Sequence, residues 1–321
     1  MVSFADVKKA FERILPYVNR TPVLTSTTLN EMVGAQLYFK CENFQKVGAF
    51  KFRGATNAVF SLSEADAEKG VVTHSSGNHA AALALAAKKR TIPAWIVMPF
   101  NAPAVKVAAV KHYGGRITFC EPTQKAREET AEKIITEQGA TFIHPYNNEK
   151  VIAGQGTAAL ELMQEIPDLD FIFVPVGGGG LLSGTAIAAT ALKKDIRVCA
   201  GEPKNADDAY RSVETGKIVF PENPNTIADG LKTSLGEITF PIIQKLVHEI
   251  ILVSETEIID AMRVVLERMK IVIEPSSAVA LAAVIKSAGK VRLKKVGVIF
   301  SGGNVDFERF FKSLNERKEK I

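Results

Sequence analysis

From about residue 36 onward the chain alternates short runs rich in β-branched and aromatic residues with longer, alanine-rich segments of helical period. That alternation predicts an α/β fold in which helices wind a mostly parallel sheet. Strands are predicted at 37–41, 71–74, 95–98, 117–120, 171–176, 198–202, 250–253 and 296–300. Helices are predicted at 78–89, 103–113, 124–138, 156–165, 181–192, 255–269, 275–287 and 306–314. The strand–helix units between about residues 70 and 145 suffice for a small open sheet of their own. The expected organisation is therefore a large domain, 1–69 plus 148–321, with a small domain, 70–147, inserted into it.

Composition narrows the class. At 321 residues the chain is long for a single core and fits two domains. Hydrophobic residues at 46% and charged residues at 23% are the proportions of a globular protein, which sets disorder and fibrous folds aside. The net charge of +5 is spread over 40 basic and 35 acidic side chains. Its basic clusters, Lys88 to Arg90 and Lys193 with Lys194, read as solvated helix ends rather than a nucleic-acid face. Cys41, Cys120 and Cys199 lie apart in apolar stretches, which points to a reducing compartment. The first sixteen residues have amphipathic spacing and resemble neither a signal nor a transit peptide. Apolar runs such as 80–87 are far shorter than the ~20 residues of a membrane span. A soluble, cytoplasmic protein is expected, with no membrane or nucleic-acid partner.

Four constellations carry chemistry. Gly177, Gly178, Gly179 and Gly180 follow a predicted strand and open a predicted helix. Free backbone N–H groups and the lack of Cβ atoms make such a point suited to an anion, and a tight turn rarely needs four glycines. No Lys-Ser or Lys-Thr follows, so this is not a triphosphate loop. Lys51 stands between Phe50 and Phe52, whose apolar rings would desolvate an ammonium and lower its pKa, as a Schiff-base lysine requires. A surface lysine beside core aromatics is the commoner arrangement, so this segment takes its meaning from the other three. Ser75-Ser76-Gly77-Asn78-His79 lies between a strand and a helix, where Ser or Asn serves as an ordinary cap or where hydroxyls, amide and N–H groups grip a carboxylate and a ring oxygen. Ser301-Gly302-Gly303-Asn304 follows the last strand, at the carboxyl edge where open α/β sheets place ligands.

In this order and spacing the four segments resemble the tryptophan-synthase-beta-like, fold type II, pyridoxal-phosphate enzymes. The resemblance extends to Asn19-Arg20-Thr21-Pro22 and Ala153-Gly154-Gln155-Gly156-Thr157, covers nearly the whole chain, and is nearest to the serine racemase and serine/threonine dehydratase branch. It implies that Lys51 takes the cofactor as a Schiff base beside Phe50, that Gly177 to Gly180 hold its phosphate, that Asn78 bonds its ring hydroxyl, and that Ser301 faces its pyridine nitrogen. It implies substrate contacts from Ser75, Ser76, Asn78 and His79. Ser76 bears on the reaction: dehydratases of this branch typically carry alanine there, racemases the second serine. Fungal 3-hydroxyaspartate dehydratases also show Ser-Ser-Gly-Asn-His, so dehydration of serine, threonine or L-threo-3-hydroxyaspartate stands beside racemisation of serine as an alternative.

The same resemblance implies a divalent-cation site for Mg²⁺, Ca²⁺ or Mn²⁺ at Glu202, Ala206 and Asp208, and a homodimer. A Glu and an Asp at that spacing are equally a charge pattern at a helix start. ATP activation is left open, because Tyr146 stands where ATP-activated mammalian racemases usually carry asparagine. With so little sequence after Asn304, no appended regulatory domain is expected. The five histidines show no metal spacing, and core or cap roles suffice for them. A non-catalytic phosphate-binding module is the reading from a different class.

Overall fold

The computed structural model describes residues 1–308, 310 and 311. Its strands are β1 (Val23–Leu24), β2 (Gln36–Cys41), β3 (Val71–His74), β4 (Ala94–Pro99), β5 (Arg116–Cys120), β6 (Thr141–Phe142), β7 (Phe171–Pro175), β8 (Arg197–Pro203), β9 (Glu249–Val253) and β10 (Lys295–Phe300). Six form one sheet in the order β1-β2-β10-β7-β8-β9, parallel except where β1 meets β2. The other four form a parallel sheet in the order β5-β4-β3-β6. The predicted α/β class and helix-wound parallel sheets are thus borne out. Every predicted strand is present, with ends displaced by no more than one residue. Their apolar runs have a simple cause: all of β7 is buried, as a strand covered on both faces must be.

The strands of the four-stranded sheet all come from residues 71 to 142. Between the two sheets runs the helix Lys51–Phe60, packed on the helix Asn78–Arg90 on one side and on Glu149–Glu165 on the other. Phe52, Ala55 and Val59 share a core with Leu83, Ala87 and Met98 of the smaller unit. Every residue from Phe52 to Val59 is buried, and a helix buried all round has no polar face to give it a period. That is why the periodicity predicts no helix at Lys51.

The helix Glu149–Glu165 starts seven residues before the predicted position. Asn148 caps it, its Oδ1 accepting the Lys150 and Val151 N–H groups at 2.9 and 3.0 Å. The glycines of this helix are contact points. A Cβ on Gly154 would lie 2.7 Å from the Gly54 Cα, and one on Gly156 2.7 Å from the Gly184 carbonyl oxygen. Close helix packing overrides the ~1 kcal/mol propensity cost of each glycine. Of the predicted helix 306–314, residues 309 and 312–314 lie outside the described residues. Among the described residues, no helix is long and apolar enough to cross a membrane.

Candidate active site

The glycine loop leaves the carboxyl end of β7 and enters the helix Gly180–Leu192. Gly179 has φ +85°, a left-handed conformation that a side chain would strain. The loop is walled closely. A Cβ on Gly178 would lie 2.3 Å from the ring carbons of Tyr146, and one on Gly177 2.9 Å from the Leu231 Cα. Thr239 Oγ1 donates to the Gly178 carbonyl at 2.9 Å, which leaves the N–H side of the loop to face a ligand. Glycine is needed at Gly177, Gly178 and Gly179, and a helix N-terminus with free N–H groups is the cradle a phosphate requires. By this observation the chain fits a phosphorylated cofactor.

Lys51 is the first residue of its helix, and its Nζ donates to the Pro145 carbonyl at 2.9 Å and lies over the Phe50 ring at 5.1 Å. Burial lowers its pKa to about 8, and the Glu274 carboxylate opposes that shift only in part. The segment before it is stitched to the Ser301 loop: the Phe50 N–H donates to the Ser301 carbonyl at 2.9 Å, and Ala49 bridges Gly302. Lys51 and Ser301, 250 positions apart in sequence, are thereby neighbours.

The Ser75–His79 turn leaves β3 and opens the helix Asn78–Arg90. Ser75, Ser76, Gly77 and Asn78 are half-buried, whereas His79 is buried. Asn78 Nδ2 donates to both oxygens of Glu274, at 3.0 and 3.1 Å, and its Oδ1 accepts from Asn304 Nδ2 at 2.9 Å. Asn304 also gives its backbone N–H to Glu274 at 3.2 Å. These bonds orient the Asn78 amide, with its Nδ2 as the donor end. Burial raises the Glu274 pKa to about 7, with the Asn78 bond working the other way.

His79 Nε2 lies 3.1 Å from the Ile143 carbonyl, which can only accept, so the proton sits on Nε2. Burial, with the Lys51 charge second, lowers its pKa to about 3. Its imidazole is therefore a neutral prop beneath the turn. His144 is similar: its Nδ1 accepts the Tyr146 and Asn147 N–H groups at 3.3 and 2.9 Å, and burial lowers its pKa to about 4.

Glu202 lies near the end of β8 and Asp208 at the start of the helix Asp208–Thr215. Glu202 accepts the Ala209 and Tyr210 N–H groups at 2.7 and 2.8 Å. Among the described residues both Asp208 oxygens are buried with no partner beyond the residue's own backbone N–H, and Ala206 is buried as well. Burial raises the two pKa values to about 8 and about 7. A buried carboxylate so short of partners fits a hard cation. Among the described residues no three His, Cys, Asp or Glu side chains group as metal ligands, so a backbone carbonyl and water would complete this set.

Sequence reasoning missed three residues here. Glu274 lies 196 residues from Asn78, and nothing local marks it. The Tyr146 ring covers Gly178, a contact no motif announces. Arg127 has a buried Nε with no partner, and its charge is among the influences that lower the His74 pKa, after burial, which places it near the end of β3.

A family profile described as pyridoxal-phosphate dependent enzyme matches residues 14–302. The chain is 54% identical to the serine racemase of Dictyostelium discoideum over 318 residues, covering 98% of each. It is 51% identical to the beta-hydroxyaspartate dehydratase of Paracoccus denitrificans over 307 residues, covering 96% of this chain and 98% of that one. The crystal structure of the Dictyostelium serine racemase superposes with a TM-score of 0.92 at 53% identity, covering 95% of this chain and 99% of that one.

Proposed function

The chain belongs to the pyridoxal-phosphate-dependent enzymes, and on that premise we propose that it interconverts L- and D-serine and, at the same site, eliminates water from serine to give pyruvate and ammonia. The observation that carries this reading is the meeting of Lys51, the Ser76–Asn78 turn and the Ser301–Asn304 loop around Glu274.

Pyridoxal phosphate, when bound, supplies an electron sink that acidifies the α-hydrogen of an amino acid. Gly177 to Gly180 would hold its phosphate, Lys51 would bond it covalently, and Asn78, oriented by Glu274 and Asn304, would bond its ring oxygen. Ser301 would offer the ring nitrogen a hydroxyl, which would not keep that nitrogen protonated as a carboxylate does and so would hold back transamination. The N-terminal N–H groups of the helix Asn78–Arg90, with Ser75, take the substrate carboxylate. Lys51 Nζ moves the α-proton on one face of the substrate, and Ser76 Oγ serves the other. Proton return gives either enantiomer, and loss of the β-hydroxyl as water gives the elimination product.

Glu202, Asp208 and the Ala206 carbonyl would hold Mg²⁺, or Ca²⁺ or Mn²⁺. The buried thiols of Cys41, Cys120 and Cys199 suit a reducing, cytoplasmic setting. The division into 1–69 plus 148–321 and an inserted 70–147 belongs to the same reading, as does a homodimer.

Arg127 favours a second reading. A buried guanidinium nitrogen without a partner suits a second carboxylate, and hence dehydration of L-threo-3-hydroxyaspartate. A substrate panel tests both. The purified protein is given L-serine, L-threonine and L-threo-3-hydroxyaspartate, and kcat/KM for keto-acid release is measured for each. We expect L-serine to be turned over within about tenfold of the best substrate; a deficit beyond roughly 10³-fold against hydroxyaspartate, more than 4 kcal/mol of transition-state binding, would make the dehydratase reading the right one.

The lysine's pKa has a separate consequence. Only a neutral amine is a nucleophile, and a pKa of about 8 leaves about a fifth of Lys51 neutral at pH 7.4, against roughly 0.1% for an ordinary lysine. Mixing cofactor-free protein with pyridoxal phosphate should restore the visible band at a rate that rises with pH through a midpoint near 8. A rate still climbing steeply at pH 10 would show that Lys51 is not desolvated.

A further inference from the structure

Two segments of the chain, Asn19 to Pro22 and Ala153 to Thr157, take no part in the chemistry above. In the structure both converge on the helix that Lys51 opens. Arg53, two residues after Lys51 and fully buried, bonds Glu42 through Nε at 2.7 Å and Nη2 at 2.9 Å. It bonds Glu161 through Nη1 and Nη2, both at 2.8 Å, and Thr157 through Nη1 at 3.2 Å. Lys40 Nζ donates to Glu161 at 2.7 Å and to the Thr21 carbonyl at 2.7 Å, and Thr21 Oγ1 donates to Glu42 at 2.5 Å. The four charged groups are at most 1% exposed and cancel in pairs.

Stability is a poor reason for such a cluster. Desolvating four charges is costly, and apolar side chains of similar volume often hold a core as well or better. What the cluster supplies is geometry. A planar guanidinium gripped by two carboxylates fixes both the rotation and the advance of the helix that carries it. Burial works against the Arg53 charge, but Glu42 and Glu161 outweigh it and raise its pKa.

Gln155 acts on the same turn. The helix has no side-chain cap at Phe50, and the Gln155 Oε1 accepts the Gly54 N–H at 3.1 Å from the neighbouring helix. Its Nε2 stays buried with no partner, so the amide is kept at a cost. A Cβ on Gly54 would lie 2.4 Å from that Nε2, so the contact is close.

We propose that Lys40, Glu42, Arg53, Glu161 and Gln155 are positioning residues for Lys51: they set the register of its helix, and so the place from which its amine reaches the cofactor and the substrate proton. The inference rests on the reading of Lys51 as the cofactor lysine. Reactions that depend on oriented groups lose about 10²-fold for misplacements of about 1 Å, even when the change lies away from the chemistry.

Arg53→Lys keeps the charge and removes the planar fork, and Gln155→Ala removes the cap without stranding a charge. For wild type and both variants, three quantities are measured: the rate of cofactor loss followed by the visible band, kcat and KM for serine, and the melting temperature of cofactor-free protein. In Arg53→Lys we expect cofactor loss at least about tenfold faster and kcat lower by about 10²-fold, with KM within about threefold. Gln155→Ala should move the same way, with kcat down about tenfold. Should Arg53→Lys not fold, Gln155→Ala decides by the same readings. Variants that melt lower but keep wild-type cofactor retention and kcat would make the cluster purely structural and overturn the inference alone. A wild-type protein without the band would instead overturn the reading of Lys51, and this inference with it.

Discussion

Replacing Lys51 with alanine is expected to abolish the visible band of the cofactor-loaded protein and to lower turnover of serine by at least about 10⁴-fold, since one side chain supplies both the covalent bond and a proton-transfer group. Few substitutions should disturb the fold less for so large an effect. Among the described residues the Lys51 side chain makes one hydrogen bond, to the Pro145 carbonyl, and holds no ion pair. Its removal also relieves a partly desolvated ammonium. The glycine cradle is untouched, so the variant should still bind pyridoxal phosphate through the phosphate, with the spectrum of the free aldehyde. Equilibrium dialysis would measure that residual binding. A Lys51→Ala protein with the wild-type spectrum would move the covalent site to another lysine.

The second large effect falls on one product and spares the other. Ser76→Ala should lower the interconversion of serine enantiomers by about 10²-fold or more, the usual worth of a positioned proton donor. Pyruvate release from L-serine should fall by less than about tenfold, because elimination uses the proton taken on the Lys51 face. The split is the informative result. Ser76 is half-buried on the turn after β3, and alanine there removes a hydroxyl without opening a core cavity. It also recreates the Ser-Ala-Gly-Asn sequence typical of the dehydratases this chain resembles. Chiral separation of serine and a coupled pyruvate assay on one reaction mixture provide both numbers. Equal loss of both activities would assign Ser76 to substrate binding, and no loss of racemisation would remove the two-base scheme.

Legibility in the sequence followed the range of the interactions. The parallel strands were readable because burial on both faces turns them into continuous apolar runs, as in β7. The glycine loop was readable because its four glycines are consecutive in the sequence, although what crowds them, Tyr146, Leu231 and Thr239, comes from remote segments. The helix at Lys51 was not, since a helix buried on every side has no period. The first two turns of the helix Glu149–Glu165 were not readable either, and there Gly154 and Gly156 meet the backbone of Gly54 and Gly184. Glu274 was invisible for a different reason. Its carboxylate acquires meaning only when Asn78 and Asn304, from the two sheets, close on it. The same holds for the Arg53 cluster, whose members come from four segments of the chain.

The most direct test is to incubate the purified, cofactor-loaded protein separately with L-serine and with D-serine and to follow both enantiomers by chiral chromatography. The account predicts that each enantiomer gives rise to the other and that the serine remaining in both reactions approaches equal amounts, while pyruvate accumulates. Pyruvate from L-serine with no D-serine at any time would contradict it and leave a dehydratase.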